Sequence, residues 1–136
     1  MSDVAGGVAG TGGVVGVGVD LCEVDRMRRT LARTPGFVGR VFTQAEQDYC
    51  RRARDPAERF AARFAAKEAV LKALSAGLGA CPFRDIEVVR ARSGAPAVVL
   101  HGAAAGLAAE RGVAGWRVSL THTRTMAEAV AIALSG

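Results

Sequence analysis

The feature that most constrains the fold is one long, uninterrupted helical segment in the middle of the chain. Residues 57–74, AERFAARFAAKEAVLKAL, are rich in alanine and contain neither glycine nor proline, a composition that strongly favours an α-helix. Asp55-Pro56 comes directly before the segment, and the glycines and proline of SAGLGACP follow it, so the helix ends close to Leu74. We expect this helix to be central to the fold.

Shorter segments on both sides of the helix predict strands and smaller helices. Residues 14–20, VVGVGVD, are typical of a buried strand that ends at Asp20. Thr43 and Glu46 have the spacing of a capping box at the start of a helix. The other predicted elements are a helix from about Glu23 to Arg33, a hairpin of strands 86–91 and 95–100 around Arg92-Ser93-Gly94, a short helix over 102–111, and strands over 116–123 and 126–134. The alanine content of 126–134 also permits a helix there, but the order of elements predicts an α+β class with mainly antiparallel strands.

The length and the charge of the chain limit its size class and its partners. With 136 residues it is long enough for one domain, which we place at residues 14–136, after a flexible N-terminal extension over residues 1–13. The net charge of +5 favours an anionic partner. Nearly all of the positive charge is arginine, which suits bidentate binding of phosphate or carboxylate, although a GC-rich genome produces the same bias.

Composition also argues against several classes of protein. A nucleic-acid-binding module would suit the charge, but aromatic residues are only 5% of the chain and no known binding motif is present. No apolar run reaches the roughly 18 residues that span a bilayer, and the N-terminus lacks the basic region of a signal peptide. The three cysteines form no CxxC pair, so we expect free thiols in the cytoplasm, and neither a zinc site nor a disulfide scaffold.

Two carboxylates are candidates for a metal site. Asp20 follows a strand, where it can hold a metal or ligand, or can cap the next helix. Glu68 lies on or beside the apolar stripe of the long helix, where an unpaired charge is costly. It can form a helical ion pair with Lys72, four residues on, or share a divalent cation with Asp20.

Several basic residues are candidates for binding anions. Arg59, Arg63 and Lys67 follow one line of the long helix, where like charges repel mildly, so that a nearby anion or a solvated face explains them. His122, between Thr121 and Thr123 at a strand end, can contact phosphate or transfer a proton, or can be structural.

The first helical region is also basic. Arg26, Arg28, Arg29, Arg33 and Arg40 surround Met27 and Phe37. This pattern fits a solvated face, or a face that docks an acidic helix with apolar contacts between the charges.

Taken in order along the chain, these segments closely resemble one family. Gly16-x-Gly18-x-Asp20, Phe42-Thr43-x-x-Glu46, the block RFAAKEAxxKAL over residues 63–74, and Ser119-Leu120-Thr121-His122-Thr123 are similar to the holo-acyl-carrier-protein synthases. This is the small class of 4′-phosphopantetheinyl transferases, and the similarity covers residues 14–134. One departure is Ser75, where the family usually has glycine, which puts in doubt the ligand contacts of the 75–79 loop.

The resemblance implies a fold, an activity and a set of roles. It implies an α+β unit that forms a homotrimer with active sites at subunit interfaces, and transfer of the 4′-phosphopantetheine group from coenzyme A to a serine of an acidic acyl carrier protein. Asp20 and Glu68 match Mg²⁺ ligands. The residues expected to contact coenzyme A are Asp20, Arg63, Lys67, Lys72, Ser75, Gly77, His122 and Thr123. The face expected to dock the carrier protein contains Arg26, Arg29, Arg33, Phe37 and Arg40.

The implied chemistry needs an acceptor for the serine proton and cations for the phosphate charge. Glu68, directly or through a water, is the first candidate for the base, and His122 is the second. Arg63 and Lys72 would stabilise charge on the phosphate oxygens and on the departing 3′,5′-ADP. A degenerate transferase kept as an assembly partner is a further alternative, against which the presence of Asp20, Glu68, Lys72 and His122 argues.

Overall fold

A computed structural model of the chain describes residues 12–136, and the long helix predicted from the sequence lies at its centre. Twelve of its 18 residues are buried, which is expected of a helix that is covered on most sides. The elements, in chain order, are β1 (Val14–Glu23), α1 (Val24–Arg33), α2 (Phe37–Val41), α3 (Gln44–Arg51), α4 (Pro56–Ala73), β2 (Ile86–Arg90), β3 (Pro96–Leu100), α5 (Gly102–Glu110), β4 (Gly115–His122) and β5 (Met126–Leu134), with a 3₁₀ turn at Phe83–Asp85.

The strands form two antiparallel sheets. A three-stranded sheet has the order β1-β5-β4, and the β2–β3 hairpin forms a separate two-stranded sheet. In the larger sheet, Asp20 on β1 pairs with Ala129 on β5, and Ala129 pairs with Leu120 on β4. The predicted α+β class, with antiparallel strands around a central helix, is confirmed.

Two glycines of β1 allow α4 to lie unusually close to the sheet. A Cβ atom on Gly16 would lie 1.9 Å from the carbonyl oxygen of Ala73, and one on Gly18 would lie 1.8 Å from that of Ala69. No side chain fits at such distances, so only glycine permits this contact between strand and helix. The glycines of the Gly16-x-Gly18-x-Asp20 motif therefore bring the strand that carries Asp20 directly against α4.

The last strand, β5, shows why a segment rich in alanine is not helical here. Its inward-facing residues Ala127, Ala129, Ala131 and Ala133 are all buried. Small side chains on this face leave room for α4 above the sheet, while Val130 and Ile132 alternate to the other face. Packing between β1 and β4 thus overrides the local helical preference of alanine.

A buried ion pair ties α3 and α4 to β2. The Lys67 ammonium donates to the Glu46 carboxylate at 2.8 Å, to the Phe83 carbonyl at 3.1 Å and to the Ile86 carbonyl. Glu46 also accepts from the backbone N–H of Thr43, which completes the predicted capping box, and from the N–H of Val88. Because donors and acceptors are matched, removing either partner would leave an uncompensated buried charge and would destabilise the fold.

Some expectations differ from the structure. The first strand does not end at Asp20 but continues to Glu23, because β5 pairs with it along that length. Helix α2 was not predicted, since its five residues are too short to show a period. Met27 was expected on the docking face but is 3% exposed and belongs to the core. The predicted flexible extension lies, for residues 1–11, outside the described part of the chain.

Within residues 12–136, no helix has the length and hydropathy needed to cross a bilayer.

Candidate functional site

Asp20, Glu68 and Lys72 form one cluster where β1 meets α4. The Lys72 ammonium donates to the Asp20 carboxylate at 2.7 Å and to the Val19 carbonyl at 3.1 Å. Asp20 is therefore not the N-cap of the following helix, a position that Glu23 occupies. Lys72 pairs with Asp20 across the elements, so the simple helical pair between Glu68 and Lys72 does not account for this cluster.

The electrostatics of the cluster are unbalanced toward negative charge. Burial, hydrogen bonding to the Asp20 carboxyl and the negative charge of Asp20 raise the pKa of Glu68 to about 7, against the opposing effect of Lys72. The hydrogen bond and charge of Asp20 in turn raise the pKa of Lys72. Two carboxylates share one lysine, so the pair lacks about one positive charge, which a divalent cation would more than supply.

Glu68 faces a cavity of about 520 Å³, the carboxylate pocket, between α1, α4 and the end of β1. Its apolar walls include Phe37 and Phe64, and Arg26 lies at its side. Among the described residues, no group of three or more metal-ligating side chains is present. A site with two carboxylates is the type that Mg²⁺ uses, since this ion keeps water and substrate phosphates as its other ligands.

A second cavity of about 290 Å³, the arginine pocket, contains His122 and Arg63. It is lined by Tyr49, Arg59, Arg63, Arg90 and His122, among others, and none of the described residues that line it is acidic. Arg63 is 5% exposed, and its Nε atom has no hydrogen-bond partner within residues 12–136. A buried guanidinium with an unused donor indicates a place for an anion.

The central helix separates these two pockets. Arg63 and Glu68 are five residues apart on α4, which places them about 140° apart around the helix axis. Cys22 of the carboxylate pocket and His122 of the arginine pocket lie on opposite edge strands, each paired with Ala127 of β5. Adjacent strands are about 4.8 Å apart, so the backbones at Cys22 and His122 are about 10 Å apart across the sheet.

The structure does not bring Lys67 to either pocket. Its side chain is fully buried, and its three ammonium hydrogens are used by Glu46 and two carbonyl groups. Burial lowers the pKa of Lys67, against the effect of Glu46. The expectation that Lys67 contacts a ligand was wrong, because the helical line from Arg59 to Lys67 turns into the core at its C-terminal end.

The loop after α4 and the turn after β4 hold the remaining predicted contact residues. Ser75 has a φ of 53°, in the left-handed region that favours glycine, which fits the glycine usually found there in the family that the sequence resembles. Gly77 is exposed in the same loop. The Thr123 hydroxyl accepts from the N–H groups of Thr125 and Met126, so it also stabilises its own turn.

Helix α1 places its basic side chains beside the carboxylate pocket. Arg26, Arg29 and Arg33 are exposed, and Arg26 lines that pocket together with the half-buried Phe37. Arg28 instead pairs with Asp25 and, at 2.6 Å, with Asp55. Arg40 is exposed on the neighbouring α2.

Sequence reasoning missed Tyr49 and Arg90 as parts of a site. Each lies on an element that carried no motif of its own, one on α3 and the other at the end of β2. The composition could have suggested this site, because Tyr49 is the one tyrosine of a chain that is rich in arginine. Its proximity to Arg63 depends on the folded arrangement of α3, α4 and β2, which the sequence alone does not give.

Comparison with known proteins identifies the family of the chain. The family model of the 4′-phosphopantetheinyl transferase superfamily matches residues 16–133. A holo-[acyl-carrier-protein] synthase of Moorella thermoacetica is 49% identical over 115 residues, which are 85% of this chain and 90% of that protein. One from Streptomyces avermitilis is 45% identical over 120 residues, which are 88% of this chain and 97% of the relative.

A solved structure is similar in fold. The holo-(acyl-carrier-protein) synthase of Bacillus anthracis, in complex with CoA (3′,5′-ADP), matches with a TM-score of 0.74 and 28% identity. The match covers 90% of this chain and 98% of that one. The similarity in fold therefore extends over most of the chain.

Proposed function

The chain belongs to the 4′-phosphopantetheinyl transferase superfamily, and we propose that its carboxylate and arginine pockets are two halves of one transfer site. It transfers the 4′-phosphopantetheine group from coenzyme A to a serine of an apo acyl carrier protein and releases 3′,5′-ADP. The observation that carries our assignment of the site is the Asp20–Glu68 pair, two adjacent carboxylates that share Lys72 as their lysine partner.

Asp20 and Glu68 would hold Mg²⁺ in this site. Two neighbouring carboxylates offer the hard oxygen ligands that Mg²⁺ prefers, and this ion needs only one or two of them from the protein. When bound, Mg²⁺ would neutralise negative charge on the pyrophosphate of coenzyme A.

The residues of the cluster provide the remaining chemistry. In the reaction, the serine oxygen forms a bond to the β-phosphorus, and the bond from that phosphorus to the bridging oxygen of 3′,5′-ADP breaks. Glu68, directly or through a water, accepts the serine proton. Lys72, whose ammonium is exposed beside Asp20, stabilises the charge on the leaving group. Since His122 lines the same pocket as Arg63, we assign it to phosphate binding, and we assign the role of base to Glu68.

We further propose that the two halves meet between copies of the chain in a homotrimer. Five of the seven large hydrophobic side chains that are exposed among the described residues lie on β1, namely Val14, Val15, Val17, Val19 and Leu21. An apolar face of this kind favours association. A second copy against it would bring an arginine pocket to a carboxylate pocket whose described lining includes only one arginine, Arg26.

The acyl carrier protein would dock on α1. Arg26, Arg29 and Arg33 are exposed there, and Arg40 and Phe37 extend the surface toward the carboxylate pocket. A positive face next to the reacting carboxylate suits a carrier protein that is acidic around its serine, because opposite charge speeds encounter and fixes orientation. The free thiols of Cys22, Cys50 and Cys81 support a cytoplasmic location, where thiols stay reduced.

Intact-mass spectrometry of an apo acyl carrier protein tests this function. The carrier is incubated with the protein, coenzyme A and Mg²⁺, and we expect its mass to rise by one phosphopantetheine group. Samples with EDTA or with Glu68→Gln should show no gain. An absence of transfer to carriers of fatty-acid, polyketide and peptide synthases alike would instead support a degenerate partner protein.

A further inference from the structure

Tyr49 brings together three arginines from two different elements. The guanidinium carbon atoms of Arg63, Arg59 and Arg90 lie 4.1, 4.2 and 5.4 Å from the centre of its ring. Arg59 also donates to the backbone carbonyl of Tyr49 at 2.8 Å. A tyrosine face attracts cations, so one ring holds groups that would otherwise repel one another.

The charge of this cluster is not balanced within the described part of the chain. Arg59, Arg63 and Arg90 form no ion pair there, and Arg63 keeps its buried Nε atom without a partner. An adjoining cavity that shares Tyr49, Arg63 and Arg90 adds Arg52 and Arg92. Its acidic residues are already engaged, Glu46 by Lys67 and Glu87 by His101 at 2.9 Å.

The geometry points to a specific role for this ring. We propose that Tyr49 is a positioning residue that holds Arg59, Arg63 and Arg90 as the binding site for the 3′-phosphate of coenzyme A, an inference that rests on the proposed function. Coenzyme A carries two separate anionic groups, and the pyrophosphate must lie at Asp20 and Glu68, where it reacts. The 3′-phosphate is the remaining dianion, and forked guanidinium groups with free donors suit it.

The test compares coenzyme A with 3′-dephospho-coenzyme A as donor in steady-state assays. For Tyr49→Leu we expect the KM for coenzyme A to rise about tenfold or more, while the KM for the dephospho donor changes less than about twofold. Tyr49→Phe keeps the ring and should behave like the unmodified protein. Arg59→Gln, on the half-buried start of α4, should reproduce the selective loss without removing the ring.

Two controls keep this role apart from a structural one. Arg54→Gln removes an exposed arginine outside the pocket and should leave the ratio of the two KM values unchanged. Isothermal titration of 3′,5′-ADP against 5′-AMP should show the same selective loss of affinity in Tyr49→Leu. Equal losses for both donors, or normal selectivity in Tyr49→Leu and Arg59→Gln, would overturn the proposal. Activity of the unmodified protein with coenzyme A tests the transferase function itself. A failure of that function can therefore be distinguished from a failure of the role proposed for Tyr49.

Discussion

The two pockets separated by α4 carry opposite and unbalanced charge. Beside the carboxylate pocket, Asp20 and Glu68 lie next to one lysine, and burial together with the Asp20 carboxyl raises the pKa of Glu68 to about 7. In the arginine pocket, Arg63 is buried with an unused donor and no acidic neighbour lines the cavity in the described chain. Charge left unbalanced in this way is costly in a folded protein. One pocket has excess negative charge and the other has excess positive charge.

The buried pair of Glu46 and Lys67 shows what a balanced site looks like in the same molecule. It is fully buried, yet every ammonium hydrogen of Lys67 has an acceptor. The comparison teaches that neither burial nor charge marks the functional residues of this chain. The functional residues are marked instead by charged groups that lack some of their ionic or hydrogen-bonding partners. Such groups occur in both pockets but not at Glu46.

The largest effect should come from Glu68→Gln. Losing the base and a proposed cation ligand should lower kcat at least about 100-fold, while the KM for coenzyme A changes little because the arginine pocket is intact. Steady-state kinetics measure both constants. Glu58→Gln, in the first turn of the same helix, is the control and should retain activity. A large rise in KM with normal kcat would contradict the assignment.

The next largest effect is a difference in stability between variants of two lysines on α4, Lys67 and Lys72. Lys67→Met leaves Glu46 buried without its cation and should cost about 3–5 kcal/mol of unfolding free energy. The same substitution at Lys72, which is exposed, should change the free energy of unfolding far less and should lower kcat. Urea unfolding followed by circular dichroism, together with kinetics, tests the pair. Equal stability of the two variants would refute a purely structural role for Lys67.

The third effect is on the KM for coenzyme A, which should depend on the arginine pocket more than kcat does. Arg63→Ala should raise the KM for coenzyme A about tenfold or more, since hydrogen bonds to a charged group are lost. Its kcat should stay near normal at saturating coenzyme A, the opposite pattern to Glu68→Gln. A fall in kcat that saturation does not restore would place Arg63 in the reacting half instead.

The smallest effect is a pH dependence of stability without metal. The pKa of Glu68 is raised from 4.5 to about 7, so the folded state binds more protons than the unfolded state between these values. Glu68 therefore lowers stability as pH rises from about 5 to 8, and the loss is complete above about 8. In EDTA, Glu68→Gln should raise Tm by about 2–5 °C at pH 8 and by almost nothing at pH 4. Thermal unfolding at both values tests this, and a stabilisation equal at the two values would rule out the raised pKa.

Much of the fold and part of the site could be predicted from sequence. Alanine content without breakers indicated α4, and Thr43 with Glu46 indicated the start of α3, because these signals are local. The pairing of Asp20 with Lys72 could not be predicted, since it depends on how closely Gly16 and Gly18 allow α4 to approach. Lys67 was assigned wrongly for a similar reason. It follows Arg59 and Arg63 on one side of α4, but the packing of α4 against its neighbours buries Lys67 in the core, and the sequence does not show where along the helix this burial begins.

The most direct test of the account is complementation between two defective variants. Glu68→Gln and Arg63→Ala chains are unfolded, mixed in equal amounts and refolded together, and activity is measured at coenzyme A concentrations far below the KM of Arg63→Ala. If each site takes its carboxylates from one copy and its arginines from the next, about a quarter of the mixed sites have both halves intact, and activity should rise well above the sum of the separate variants. Mixing Glu68→Gln with the double variant should restore nothing. Activity equal to the simple sum in both mixtures would mean that the two pockets of a single copy act together, which contradicts the account.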